Sequence, residues 1–201
     1  MTAEFNLDSI ELSHAQSKQL LTHVLNLGDW TASKLDSYIK SLRREGVPFD
    51  PGETPGAPGT NVVYRFEHLM ELSLALMLHR QGILRRDIIG LLVSMRGELR
   101  PLFQRAWSEC NSGLGARVPV TVGGQHIVNA SGIWLDLGLT YAFGGGLTAM
   151  GPKLLGPEGA IKTLATLNLQ LTFRDPVRIS DLAQEIVRMA PEIPTVHRGR
   201  Q

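Results

Sequence analysis

Trp30-Thr31-Ala32-Ser33-Lys34-Leu35-Asp36-Ser37-Tyr38-Ile39-Lys40-Ser41-Leu42-Arg43-Arg44-Glu45-Gly46 is the stretch around which the chain is organised. Its pattern predicts a capped amphipathic helix over Thr31 to Glu45. The Thr31 hydroxyl can accept one of the amide protons that a helix start leaves unpaired. Gly46 suits the left-handed residue that ends many helices, and Arg43 and Arg44 set cations against the negative end of the dipole. Leu35, Tyr38, Ile39 and Leu42 recur at i, i+3, i+4 and i+7, which makes one buried face. The other face carries Ser33, Lys34, Ser37, Lys40, Ser41, Arg43 and Arg44, with only Asp36 and Glu45 against them. Short hydroxyls and cations can approach phosphates and base edges. A solvated helix face has the same composition.

On the N-terminal side, Ser13 to Leu25 predicts a first helix and Leu27-Gly28-Asp29 a short turn, giving a helix, a tight turn and a second helix. On the C-terminal side, Val47 to Asn61 is too dense in Pro and Gly for a helix or an interior strand. Val62-Val63-Tyr64-Arg65-Phe66 then reads as a short strand, so loop and strand together suggest a hairpin, or wing. Glu67 to Gln81 predicts a helix apolar enough to be largely buried. Gly82 interrupts it, a further helix runs from Leu84 to about Leu99, and Pro101 opens another that carries Leu102, Phe103 and Trp107. Asn111-Ser112-Gly113-Leu114-Gly115 is the expected boundary between two domains, 1–110 and 116–194.

Beyond that boundary the period changes. Val118 to Val122 and Gln125 to Asn129 flank Gly123-Gly124, a two-residue hairpin signal. Ile133, Leu135, Leu137, Leu139 and Tyr141 alternate with Trp134, Asp136, Gly138 and Thr140 as in one half-buried strand, which Gly144-Gly145-Gly146 would turn toward Leu147 to Met150. Pro157 to Leu167 reads as a short helix, although Leu167, Leu169, Leu171 and Phe173 alternate like a strand. Ser180 is expected to cap a last helix from Asp181 to Ala190, with a loose tail from Thr195. The second half is thus a small mixed domain with an antiparallel sheet, and the chain as a whole is α+β.

The 201 residues suffice for one large or two small domains. No apolar run approaches the roughly 20 residues of a membrane span, and Met1-Thr2-Ala3-Glu4-Phe5 is unlike a signal peptide, so a cytoplasmic protein without membrane partners is expected. A single cysteine, Cys110, excludes an intramolecular disulfide and offers no thiolate pair to a metal. Charge is uneven: residues 1–30 hold one Lys against four acids, residues 31–105 eleven Lys and Arg against eight, and the remainder eight against seven. The middle third is mildly basic, which permits nucleic-acid binding without demanding it.

The order helix, helix, wing, helix, helix resembles the winged helix-turn-helix domain of the MerR family of transcriptional regulators. The run Tyr64-Arg65-Phe66, then Leu69 and its apolar helix, then Arg80-Gln81-Gly82-Ile83-Leu84-Arg85-Arg86-Asp87-Ile88-Ile89-Gly90-Leu91-Leu92 looks like that family's wing end, third helix and fourth helix. Arg44-Glu45-Gly46-Val47-Pro48 is similar to its exit from the recognition helix. Together these cover roughly residues 12 to 100. The resemblance implies binding of double-stranded DNA as a homodimer, the second helix in the major groove and the wing at 50–65 against flanking backbone. The matched positions are Lys40, Arg43, Arg44 and Arg65. Ser33, Lys34 and Ser37 join them because the N-terminal end of a recognition helix enters the groove first. The chain departs from the family in an extra turn before Gly46, a long Pro-rich wing and the lack of a dimerising coiled coil. Dimerisation is then expected through a sheet edge or the apolar Leu99 to Trp107 helix.

Chemistry is otherwise sparse. None of His14, His23, His68, His79, His126 and His197 stands at ligand spacing from another histidine or from Cys110, so no metal site, cofactor or catalytic residue is expected. The Gly144 to Gly146 run precedes no Gly-Lys-Ser/Thr. Asp136, Asp175 and Asp181 are read as solvated or capping carboxylates, and Trp134 as an outward aromatic that covers a ligand or packs on a neighbour. The expectation is a DNA-binding transcriptional regulator and not an enzyme. A DNA-bending or partner-recruiting excisionase-like protein is the alternative. A ligand-binding or catalytic C-terminal domain joined to a protein-interaction helical module is a further one.

Overall fold

The computed structural model describes residues 6–50, 53, 62–122, 125–141, 147–149, 151–167 and 176–194, with side chains omitted at 120–130, 140, 141, 148 and 165–167. The fold is mixed α+β, with six α-helices and four two-stranded antiparallel sheets among the described residues. It divides into two compact units, one within Met1–Val93 and Glu185–Gln201, the other within Ser94–Gln184.

In the first unit a short strand β1 (Leu12–Ser13) leads directly into α1 (His14–Val24). Ser13 and Gln16 cap that helix reciprocally: the Ser13 hydroxyl accepts from the Gln16 amide, and the Gln16 side chain accepts from the Ser13 amide at 3.0 Å. Leu27, fully buried in the turn, separates α1 from α2 (Ala32–Arg44). Thr31 caps α2 by accepting from the Lys34 amide at 3.1 Å. At the far end Gly46 adopts φ +91°, which lets the Val47 amide return to the Leu42 carbonyl at 3.0 Å. The Pro- and Gly-rich loop after Asp50 lies outside the described residues apart from Glu53.

The strand expected over Val62 to Phe66 is shorter, β2 (Val63–Tyr64), because Phe66 already begins α3 (Phe66–Arg80). Its described partner is β1, with Leu12 opposite Tyr64 and Ser13 opposite Val63. As the apolar run predicts, α3 is buried on nearly every side. Gly82, at φ +85°, ends it.

The two helices expected on either side of Pro101 are one, α4 (Arg85–Ser108). Proline removes the bond to the carbonyl four residues earlier, which is that of Gly97. Both residues are exposed, so water can take that carbonyl, while Leu99, Phe103 and Ala106 hold the helix from the other side. Those three are buried, while Leu102 and Trp107 of the same helix are half-buried.

In the second unit Asn111–Gly115, expected as a boundary, forms a turn and a short 3-10 helix. β3 (Val118–Val122) and β4 (Gln125–Ala130) form the predicted hairpin, with a register irregularity between Val120 and Thr121. The single long strand expected from Ile133 to Tyr141 is broken into β5 (Trp134–Asp136) and β6 (Leu139–Tyr141). The break is local chemistry. The buried Asp136 carboxylate accepts from the Gly138 amide at 2.8 Å, and Gly138 takes φ +58°, so the backbone turns where alternation alone would continue. β6 pairs with β7 (Leu147–Ala149), and β5 pairs with β8 (Lys153–Leu155) and, through Leu135, with Val177. α5 (Pro157–Leu167) packs on β3, β5 and β8. The alternation at Leu169, Leu171 and Phe173 and the glycines of both hairpin turns lie outside the described residues.

The last helix, α6 (Ile179–Met189), begins before the expected cap. Ser180 lies inside it, and its hydroxyl accepts the amide proton of Ile133 at 3.0 Å. The same hydroxyl crowds Gly132. At φ +96°, an added Cβ would lie 2.7 Å from the Ser180 hydroxyl and 3.0 Å from the Arg178 Nε. Gly132→Ala is therefore expected to cost roughly 1.5 kcal/mol in urea denaturation. Gly82→Ala, which meets nothing within 4 Å, carries only the left-handed strain, about 1 kcal/mol. Equal losses would show that the contact with Ser180 is unimportant.

Candidate nucleic-acid interface

α2 is seated by its apolar stripe: Ile39 and Leu42 are fully buried and Leu35 nearly so. Tyr38, at the edge of that stripe, stacks at 4.6 Å between ring centroids with His79 of α3, and Trp30 meets both rings edge-on. Burial pushes the Tyr38 phenol up to about 12. These contacts fix the rotation of α2 about its axis and so decide which residues face outward.

Ser33, Lys34, Ser37, Lys40 and Arg44 are all exposed. Ser33, Ser37, Lys40 and Arg44 fall at i, i+4, i+7 and i+11, hence on one line of the helix. Lys34 is partly engaged, its ammonium 4.5 Å from the Trp30 ring centroid. Lys40 is half exposed and reaches back 2.7 Å to Asp36. Arg43 is half-buried, and its charge opposes the burial that pushes the Tyr64 phenol up. Arg65 is well exposed at the start of α3, 3.7 Å from Glu11. The sequence-predicted residues therefore form a line on α2, with Lys34 and the half-buried Arg43 to its sides, and a separate arginine at the head of α3.

The centre of the flank is Asp36. Its carboxylate accepts from Lys18 at 2.7 Å, from Lys40 at 2.7 Å and from His14 Nε2 at 2.9 Å. The bonds from Lys18 and Lys40 hold the Asp36 carboxyl far below the usual carboxylate range. For His14, burial lowers the imidazole's affinity for a proton, and the bond to Asp36 opposes that only in part. Two cations, Lys18 and Lys40, thus hold one carboxylate and leave a positive surplus beside the exposed line.

His14 and Lys18 are absent from the sequence-predicted set. They stand at i and i+4 on α1, so the spacing put them on one face; what it could not give is that this face meets Asp36. Elsewhere, Trp134 is half-buried, with the Arg178 guanidinium 5.2 Å from its ring centroid, so it packs on a neighbouring side chain. Asp136, expected to be solvated, is buried and lies 3.3 Å from Lys153. Asp181 pairs with Arg178 at 3.1 Å, and Asp175 lies outside the described residues. Among the described residues no three His, Cys, Asp or Glu side chains gather as a metal site, and no helix is long and apolar enough to cross a membrane. No family model, curated protein or solved structure matches the chain.

Proposed function

We propose that this chain is a DNA-binding transcriptional regulator of the MerR-like winged helix-turn-helix kind. It reads the major groove of double-stranded DNA with α2 and holds flanking backbone with the segment 50–65. The observation that carries the reading is the outward line of Ser33, Ser37, Lys40 and Arg44, flanked by Lys34 and by the cations around Asp36. Hydroxyls near a helix N-terminus suit base edges, and cations along its length suit phosphates. The second unit then serves dimerisation or response to a signal, and the working form is a cytoplasmic homodimer. Selection of bound fragments from genomic DNA by the purified protein tests the reading. Enrichment of a shared sequence with two half-sites one helical turn apart is expected. No enrichment at low salt overturns it.

A further inference from the structure

Asp36 borders the outward line of α2. It follows Ser33 by three residues and precedes Lys40 by four, so it neighbours both on the helix surface. Both of its oxygens are taken: Lys40 holds Oδ2 at 2.7 Å, while Lys18 and His14, both from α1, hold Oδ1 at 2.7 Å and 2.9 Å. One ammonium on each oxygen, brought from two helices, is the set of donors that a backbone phosphate attracts. We propose that Asp36 stands in for a DNA phosphate: as α2 enters the groove, Lys18 and Lys40 leave the carboxylate for the nucleic-acid backbone. Lys18 of α1 is then a further phosphate-binding residue, and Asp36 is the acid that holds it in reserve. The inference rests on the DNA-binding reading given above.

The placement of the three groups permits the exchange. Lys40 is half exposed, and Lys18 and Asp36 are about a quarter exposed, so water already competes for both ammoniums and neither is locked in place. Lysine suits a change of partner, because its charge is a compact point on a flexible stem and has no fork geometry to break. His14 stays behind: its ring has no stem to swing, and the 2.9 Å bond to Oδ1 leaves the carboxylate one partner after the lysines have gone. Glu45, the second acid of the stretch, lies past the end of α2 and 3.4 Å from Arg85, so Asp36 is the acid these lysines meet.

The exchange marks the salt dependence. Each lysine that neutralises a phosphate releases condensed cations, whereas a carboxylate stripped of its lysines attracts a cation from solution and stands as a like charge beside the backbone. Asp36→Asn removes both of these opposing effects. The test uses the full chain and a short fluorescein-labelled duplex of mixed sequence, titrated at several salt concentrations. Asp36→Asn, its fold checked by circular dichroism, is expected to bind about fivefold more tightly than wild type, with a slope of log affinity against log salt steeper by somewhat under about one. A merely structural role for Asp36 gives no such gain. Lys18→Gln added to Asp36→Asn is expected to return affinity and slope to about the wild-type values. Glu158→Gln removes the same charge from α5, where Glu158 pairs with Lys162 at 2.7 Å, and is expected to change affinity by less than about twofold. In wild type, the carbon-13 signal of the Asp36 carboxyl is expected to move on saturation with duplex, and this measurement decides if Asp36→Asn does not fold. A folded Asp36→Asn that binds no more tightly, a gain that Glu158→Gln matches, a double variant that keeps the whole gain, or a carboxyl signal that stays in place overturns the exchange alone. No binding of wild type to the duplex at any salt overturns the DNA-binding reading, and the exchange with it.

Discussion

Replacement of Lys40, Arg43 and Arg44 together by alanine is expected to weaken duplex binding about a hundredfold at moderate salt and to flatten its salt dependence. Each cation that neutralises a phosphate releases condensed counterions, which adds about 0.9 to the slope of log affinity against log salt. Three lost contacts thus remove a little under three from that slope. If one of the three instead meets a guanine edge, the slope falls by less and sequence discrimination falls by more, since a bidentate base contact is worth about 1–3 kcal/mol. Lys40 and Arg44 are exposed and Arg43 half-buried, while Leu35, Ile39 and Leu42 below them are untouched, so the helix keeps its seat. Asp36 retains Lys18 and His14 as partners. Circular dichroism and urea denaturation should therefore show a folded protein with a small loss of stability. A folded triple variant that binds with unchanged affinity and slope would remove α2 as the DNA-reading element.

The features of α2 that make this prediction possible were legible in the sequence because they are local. Thr31 and Gly46 act within one turn of the residues they cap, and the spacing of Leu35, Ile39 and Leu42 is a property of the helix itself. The same reasoning misplaced elements where a local signal had two solutions. Pro101 can open a helix or sit inside one, and the exposure of Gly97 and Pro101, a tertiary fact, decides for the second. The alternation from Ile133 to Tyr141 ignores what Asp136 and Gly138 do to the backbone between them. Ser180 has the composition of a cap but serves the amide of Ile133, which stands 47 residues away. The centre of the candidate interface was half readable. Asp36 is one of two acids among the cations of its face, with Lys40 four residues on, but its other two partners come from another helix, and no pattern within residues 31–45 names His14 or Lys18.

Asp36→Ala is expected to destabilise the protein by about 2–3 kcal/mol in urea denaturation at neutral pH, and Asp36→Asn by roughly half as much. The carboxylate accepts three charge-assisted or polar bonds at 2.7–2.9 Å, and such bonds to charged groups contribute about 1.5–3 kcal/mol each before solvent competition. Asp36 is 23% exposed, and Lys18 and Lys40 are 28% and 50% exposed, so water recovers much of what each ammonium loses and the total stays near the value for one bond. Asparagine still accepts from His14, which is why it costs less. The pH dependence separates this account from a simple packing defect. Because the folded carboxyl binds its proton less readily than the usual 3.8, its contribution is complete above that value and is lost as pH falls through the lower folded value. The gap between wild type and Asp36→Asn should therefore close on acidification below about pH 3.8. His14 acts earlier and with the same sign. Its folded affinity for a proton is lowered from 6.5, so the unfolded chain binds the proton first and stability falls as pH drops below that value. Without the Asp36 charge to oppose burial, the neutral ring is favoured further, and Asp36→Asn should lose stability over a wider span below pH 6.5 than wild type does. A stability gap that stays constant down to about pH 3 would mean that Asp36 acts through its shape and not its charge.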